Sequence, residues 1–139
     1  MMAENIKVFK AMDFLQNSQE GKINLESSID MVRQLGEASD LLDDYHILID
    51  LRGTEGILNI TELIKVAMEV AYHKHKFHNR LAVLMPDESE RIMNASDFKT
   101  MMQVTGVQFD FFVRYEEAVK WLSEGSVNES DSDDAQAGR

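Results

Sequence analysis

The residues best placed to do chemistry gather where apolar runs end. Asp50, Arg52, Thr54 and Glu55 follow the run His46-Ile47-Leu48-Ile49, Asp87 and Glu88 follow Leu81–Met85, and Arg114 and Tyr115 follow Phe109–Val113. If these runs are strands of an open parallel sheet, the three clusters lie at carboxyl ends, where such sheets bind ligands. Asp50 and Arg52 stand two apart, so one strand presents both on one side and they can form an ion pair. The set reads either as a polar binding edge or as an ion pair that fixes its own loop. Asp50, Arg52 and Asp87 are the residues an enzyme would use. They do not supply a nucleophile, a base and an orienting group, which hydrolytic or transfer chemistry requires.

Tyr72-His73-Lys74-His75-Lys76-Phe77-His78 holds three of the four histidines. Helical metal sites place histidines four apart, as in HExxH. His73 and His75 fall roughly 200° apart around a helix, and His75 and His78 share a face only if the helix persists that far, with no carboxylate at matching spacing, so no metal ligand set is expected. The stretch reads better as a basic helix end that meets the negative pole of the dipole. Gly53-Thr54-Glu55-Gly56 lacks the Lys of a phosphate loop, and GxGxxG and GxSxG are absent. The nine methionines fit core filling better than a promiscuous apolar pocket.

Composition narrows the classes further. The chain has 139 residues, 25 acidic and 14 basic, a net charge of −11 and no cysteine. Disulfides, thiolate nucleophiles and cysteine-ligated metals are excluded. Nucleic-acid binding, which depends on Lys and Arg neutralising phosphates, is disfavoured, as is attraction to anionic membranes. No apolar run nears the roughly 20 residues of a membrane helix, and Met1-Met2-Ala3-Glu4 does not begin a signal peptide. A cytoplasmic protein without membrane insertion is the expectation.

These residues need elements to position them. Ile6–Phe9 and Met12–Gln16 read as short N-terminal strands joined to the rest at a sheet edge, with Asn17–Gly21 as a turn. Glu26–Leu35 reads as a helix capped by Asn24 and stopped at Gly36. Tyr45–Leu51, Leu81–Met85 and Phe109–Val113 are near-continuous apolar runs, the pattern of strands buried on both faces. Between them, Thr61 to about Lys76 reads as a helix with Thr61 as N-cap and a broad apolar stripe of Leu63, Ile64, Ala67, Met68, Val70 and Ala71. Glu88–Val104 reads as a second helix with a break near Asn94-Ala95, and Tyr115–Leu122 as a last one. Strand–helix alternation implies right-handed crossovers and a parallel sheet. Residues 1–122 then form one domain. From Ser123 to Arg139, five acids stand against one base, carrying four of the eleven net negative charges. With almost nothing apolar, that segment reads as a disordered acidic tail.

Two segments carry a family resemblance. His46-Ile47-Leu48-Ile49-Asp50-Leu51-Arg52-Gly53 is a strand ending in a D-L-R-G turn ahead of the helix at Thr61-Glu62-Leu63. Leu81-Ala82-Val83-Leu84 precedes Val113-Arg114-Tyr115-Glu116-Glu117-Ala118-Val119-Lys120-Trp121-Leu122, similar to the E-E-A-x-x-W-L helix of the bacterial SpoIIAA-like, STAS-type family. The resemblance implies an α/β domain with a four- to five-stranded, mostly parallel or mixed sheet and helices mainly on one face. It further implies a non-enzymatic regulatory or protein-interaction module with no cofactor. Anti-sigma-factor antagonists of this group bind a regulatory kinase and are switched by phosphorylation just before the helix that follows the D-L strand. Here that region reads Ile57-Leu58-Asn59-Ile60-Thr61. The D-S-S-G-L signature is absent, Asn59 takes the phosphoacceptor place and Thr61 is the nearby hydroxyl. The interaction surface implied is Asp50, Arg52, Thr54, Glu55, Asn59 and Thr61, with Thr61 as the phosphoacceptor candidate. Families of similar architecture hold lipids or small apolar ligands between sheet and helices, which gives the alternative of an apolar-ligand carrier or sensor. A free N-terminal sheet edge is compatible with a homodimer.

Overall fold

The computed structural model describes residues 6–9, 14–41, 46–74 and 80–124. The order is β1 (Ile6–Phe9), β2 (Phe14–Lys22), α1 (Leu25–Leu41), β3 (His46–Glu55), α2 (Ile60–Tyr72), β4 (Leu81–Leu84), α3 (Ser89–Thr105), β5 (Phe109–Phe112) and α4 (Tyr115–Glu124). The five strands form one sheet in the order β1-β2-β3-β4-β5. β1 is antiparallel to β2, and β2 through β5 are parallel. This is the α/β, mixed but mostly parallel sheet expected from the alternation.

Chain order and strand order coincide, so the parallel strands never reverse direction across the sheet. Right-handed crossovers in one direction place every crossover helix on one face. Accordingly α1, α2 and α3 share a core with Leu15, Ile47, Ile49, Leu81 and Val83, whereas α4 follows the last strand and packs on the opposite face. There Ala118 and Leu122 meet Phe14, Leu48, Ala82 and Leu84, all six fully buried. Without a reversal the sheet has no topological switch point, so it lacks the crevice in which doubly wound sheets bind nucleotides.

Several boundaries differ from expectation. Asn17–Gly21 is strand and not a turn: β2 continues to Lys22 because β3 pairs with it along its length. The register steps from Ser18↔Asp50 to Glu20↔Gly53, so β3 carries one extra residue. Such a bulge inverts the alternation of side chains beyond it. α1 runs through Gly36, which is buried within it, to Leu41; packing outweighs the roughly 1 kcal/mol a mid-helix glycine costs. α3 is continuous through Asn94-Ala95, and Gly106 ends it in the left-handed conformation at φ 83°. α4 reaches Glu124, two residues past the expected domain end. The remaining tail and the stretch from His75 to Asn79 lie outside the described residues.

The broad apolar stripe of α2 is split by the structure. Leu63, Val66, Ala67 and Val70 are buried, but Ile64 and Met68 face solvent. The core-filling reading of the methionines holds for Met85 and Met102 and fails for Met68 and Met93, which are exposed.

Candidate functional site

The predicted site residues do not form one cluster. Asp50 stands just before the β3 bulge and Arg52 within it, and both lie on the α4 face. Their ion pair is bidentate: Arg52 Nη2 donates to Asp50 Oδ2 at 2.9 Å and Nε to Oδ1 at 3.0 Å, and the Arg52 backbone N–H adds a third bond at 3.0 Å. The guanidinium also lies 5.8 Å from the ring centroid of Tyr115, at the start of α4. Burial works to raise the Asp50 carboxyl, but the hydrogen bonds and charge of Arg52 outweigh it and hold the group below its ordinary value. The pair therefore ties the strand to its own turn and to α4.

That shift has a sign that can be checked. A carboxyl depressed in the folded state stabilises the fold above its unfolded pKa, near 3.9, and loses that contribution as pH falls through the lower folded value. Asp50→Asn is therefore expected to be less stable than the parent at pH 7. The gap should close as pH falls below about 4, in denaturant titrations run at each pH. A gap of constant size would deny the ion pair its role.

Beyond the bulge the arrangement changes face. Thr54 is buried and bonded from α3: Arg91 Nη1 donates to its carbonyl and Nη2 to its Oγ1, both at 2.8 Å, while Oγ1 donates to the Leu51 carbonyl at 2.6 Å. One helical turn on, Asn94 meets Leu58 through both its amide atoms, Nδ2 donating to the Leu58 carbonyl at 2.8 Å and Oδ1 accepting from its N–H at 3.2 Å. Arg91 and Asn94 thus pin the two ends of the β3–α2 loop, whose Gly56 has φ 98°. Burial pushes the Arg91 guanidinium down, and the charge of Glu88 opposes this. Arg91 carries no mark in the sequence pattern, and Asn94 stands out there only as an expected helix break. The available signal was a cation and an amide three apart on a helix, hence on one face.

Asn59, not Thr61, caps α2. Asn59 Oδ1 accepts from the Glu62 N–H at 2.8 Å and Glu62 Oε1 accepts from the Asn59 N–H at 2.9 Å, a reciprocal capping box. Asn59-x-x-Glu62 was the visible signature. Replacing Asn59 with Ala should cost about 1 kcal/mol, read from thermal or denaturant unfolding, whereas Thr61→Ala should change stability by no more than about 0.5 kcal/mol. Thr61 and Glu55 are exposed, as are Asp87 and Glu88. Among the described residues, no Ser or Thr hydroxyl bonds to a histidine or a carboxylate.

Two further features bear on function. The first is a row of exposed apolar side chains: Ile57 in the loop, then Ile60, Ile64, Met68 and Tyr72 on α2, the last three 44%, 64% and 77% exposed. Residues four apart drift by 40° per step, so the row winds from the flank facing α3 to the outer crest of the central helix. The second is a cavity of about 100 Å³ between the sheet and α1–α3, reaching from Leu51 and Met85 inward to Val70 and Phe109. At the far end of α2, Glu69 accepts from Arg33 Nε and meets His73 Nε2, each at 3.0 Å. Its partial burial acts to raise the carboxyl, and these two partners lower it on balance. Among the described residues, no group of acidic or histidine side chains could hold a metal ion, and no helix is long and apolar enough to cross a membrane.

A parallel sheet with unreversed strand order, three helices on one face and the C-terminal helix on the other defines a SpoIIAA-like, STAS-type domain. A family model for SpoIIAA-like proteins matches residues 15–123, and the chain belongs to that family. A crystal structure at 2.25 Å resolution of an uncharacterised DUF3478-family protein with a SpoIIAA-like fold, from Shewanella loihica PV-4, is similar to it. The two are 22% identical, with a TM-score of 0.54 over 84% of this chain and 91% of the other. No curated protein matches.

Proposed function

We propose that this chain is a non-enzymatic regulatory module that works by binding another protein, a regulatory kinase or similar partner of the kind bound by anti-sigma-factor antagonists. The observation that carries this reading is the apolar row Ile57, Ile60, Ile64, Met68 and Tyr72. Large apolar side chains repeated four apart along the exposed side of a helix cost solubility and add nothing to the core, and contiguous patches of this kind mark interaction sites. The row starts beside the predicted surface, at the capped turn of Asn59 and Thr61. Thr61 stands exposed at the second position of α2, so the cap of Asn59 leaves its hydroxyl accessible to a kinase. A phosphate there would meet the positive helix end and the acids Glu55 and Glu62 together, adding charge beside the apolar row. Asp50 and Arg52 lie on the other face of the sheet and support this surface only by ordering the turn.

The reading is tested by reversing the character of the row. Ile64→Glu with Met68→Glu is expected to weaken partner binding at least 100-fold, measured by titration against the purified partner. Stability should shift by no more than about 1 kcal/mol, because both positions are exposed. Unchanged affinity would contradict the proposal.

A further inference from the structure

The apolar row of α2 has a neighbour that the proposed partner surface does not yet include. On α3, Glu90, Asn94, Asp97, Met101 and Val104 are spaced alternately four and three apart, so they form one stripe along the helix. Asn94 fixes the direction of that stripe, because its side chain bonds to Leu58, just ahead of α2. The stripe therefore runs beside α2, on the flank toward which Ile60 and Ile64 turn, and a groove lies between the two helices. One wall of the groove is apolar, with Ile60, Ile64 and Met68 all exposed. The other begins with the exposed acids Glu90 and Asp97 and ends with half-buried Met101 and with Val104, which is 89% exposed. Neither acid has a side-chain hydrogen bond or ion pair among the described residues. Neither wall carries a Lys or Arg. The cations of the two helices are engaged or turned elsewhere. Arg91 is buried on Thr54, and Lys99 bonds to Asp110 of β5. Lys65 shares the side of Glu69, which meets Arg33 of α1.

We propose that this groove takes one helix of the partner protein, about four turns long, whose apolar stripe is bordered by Lys and Arg. The inference rests on α2 being the partner surface and adds the chemistry of the partner. Apolar side chains four apart make a ridge against which a third helix packs, which selects a helix as the occupant. The 13 residues of α2 span about 20 Å, which sets its length. Met68, Met93 and Met101 supply the pliable, polarisable contacts that suit amphipathic helices. Glu90 and Asp97 set the sign, because they attract cations across the groove and repel acids. Both stand in the first half of α3, so the cations of the occupant concentrate at the end beside the β3–α2 loop. A second copy of this chain fits poorly, since it brings its own acids, on a chain of net charge −11, against these.

The experiment uses the full chain and three labelled synthetic peptides of about 14 residues, long enough to span the groove as helices. One places Leu at helical spacing with Lys elsewhere, the second keeps the Leu positions and replaces Lys with Glu, and the third scrambles the first so that no stripe remains. Binding is followed by fluorescence anisotropy and by amide chemical shifts. The Leu/Lys peptide is expected to bind saturably, at least about tenfold tighter than either of the others, and to shift the amides of Ile64, Asp97 and Met101. Glu90→Lys with Asp97→Lys turns two attractions into repulsions and should weaken it about tenfold. Glu117→Lys with Glu124→Lys makes the same change in charge on α4, across the sheet, and should leave the affinity within about twofold. The comparison of peptides on the unaltered protein stands even if a variant fails to fold. Ile64→Glu with Met68→Glu separates this inference from the reading beneath it. If that variant loses the purified partner while the chain binds the Leu/Lys and Leu/Glu peptides equally, the surface stands and the basic helix is overturned. Equal binding of the scrambled peptide, a dimer of the chain alone that Ile64→Glu breaks, or adsorption to phosphatidylcholine vesicles in place of peptide binding would also overturn it.

Discussion

Leu122→Ala is expected to remove about 2–5 kcal/mol of stability, the range for emptying a well-packed leucine site. The residue is fully buried with Ala118 against Phe14, Leu48, Ala82 and Leu84. α4 has ten residues, too few to hold a helix alone in water, so it depends on this contact. Arg80 fastens its last turn from below: Nη1 donates to the Trp121 carbonyl at 2.7 Å and the guanidinium lies 4.7 Å from the Trp121 ring centroid. Domains of this size have roughly 5–15 kcal/mol in total, so the substitution uses a large part of the margin. Denaturant unfolding followed by circular dichroism checks it, and a loss under about 1 kcal/mol would mean that α4 is not part of the core.

Arg91→Ala is expected to cost about 2–3 kcal/mol, chiefly by leaving the Thr54 carbonyl and hydroxyl without their donor. The relief of an unpaired buried cation offsets part of this, so Arg91→Met, which keeps the volume and loses the charge, should cost less than the alanine variant. The locality of the effect is the sharper readout. Amide exchange should accelerate over Thr54–Asn59, the loop pinned by Arg91 and Asn94, and remain slow in β3 before Asp50. Thr54→Val keeps the carbonyl and loses only the hydroxyl. Combined with Arg91→Met in a double-mutant cycle, it should show coupling of about 0.5–3 kcal/mol. Additive losses would show that the two residues do not act as a pair.

The parts of this molecule that were legible in its sequence are those fixed by local pattern. Continuous apolar runs such as Ile47–Ile49 and Leu81–Leu84 announce strands covered on both faces, and the helices between them follow from periodicity and caps. The Asp50–Arg52 pair was legible because residues two apart on a strand share a side. What stayed hidden depends on neighbours distant in sequence. The polar half of β2 looks like a turn until β3 pairs with it. The bulge that sends Thr54 to the opposite face from Arg52 exists only in the register between those strands. Arg91 reads as an ordinary surface charge in a helix of weak amphipathic contrast until Thr54 is placed beside it. Most telling is α2, whose broad apolar stripe is too wide for one buried face. Leu63, Val66, Ala67 and Val70 fill that face completely, which leaves Ile64 and Met68 outside it. The surplus of apolar residues over what one face can bury was the sign in the sequence that part of the stripe would face solvent.

The central claim is that the outer face of α2 is the working surface. The most direct measurement places a photo-crosslinking residue at Ile64 in one version of the protein and at Lys120, exposed on α4, in another, and compares their adducts in the native cell. The account predicts one defined protein adduct from position 64, lost when Met68 is replaced by Glu, and none from position 120. Equal labelling from both positions, or an adduct from position 120 alone, would contradict it.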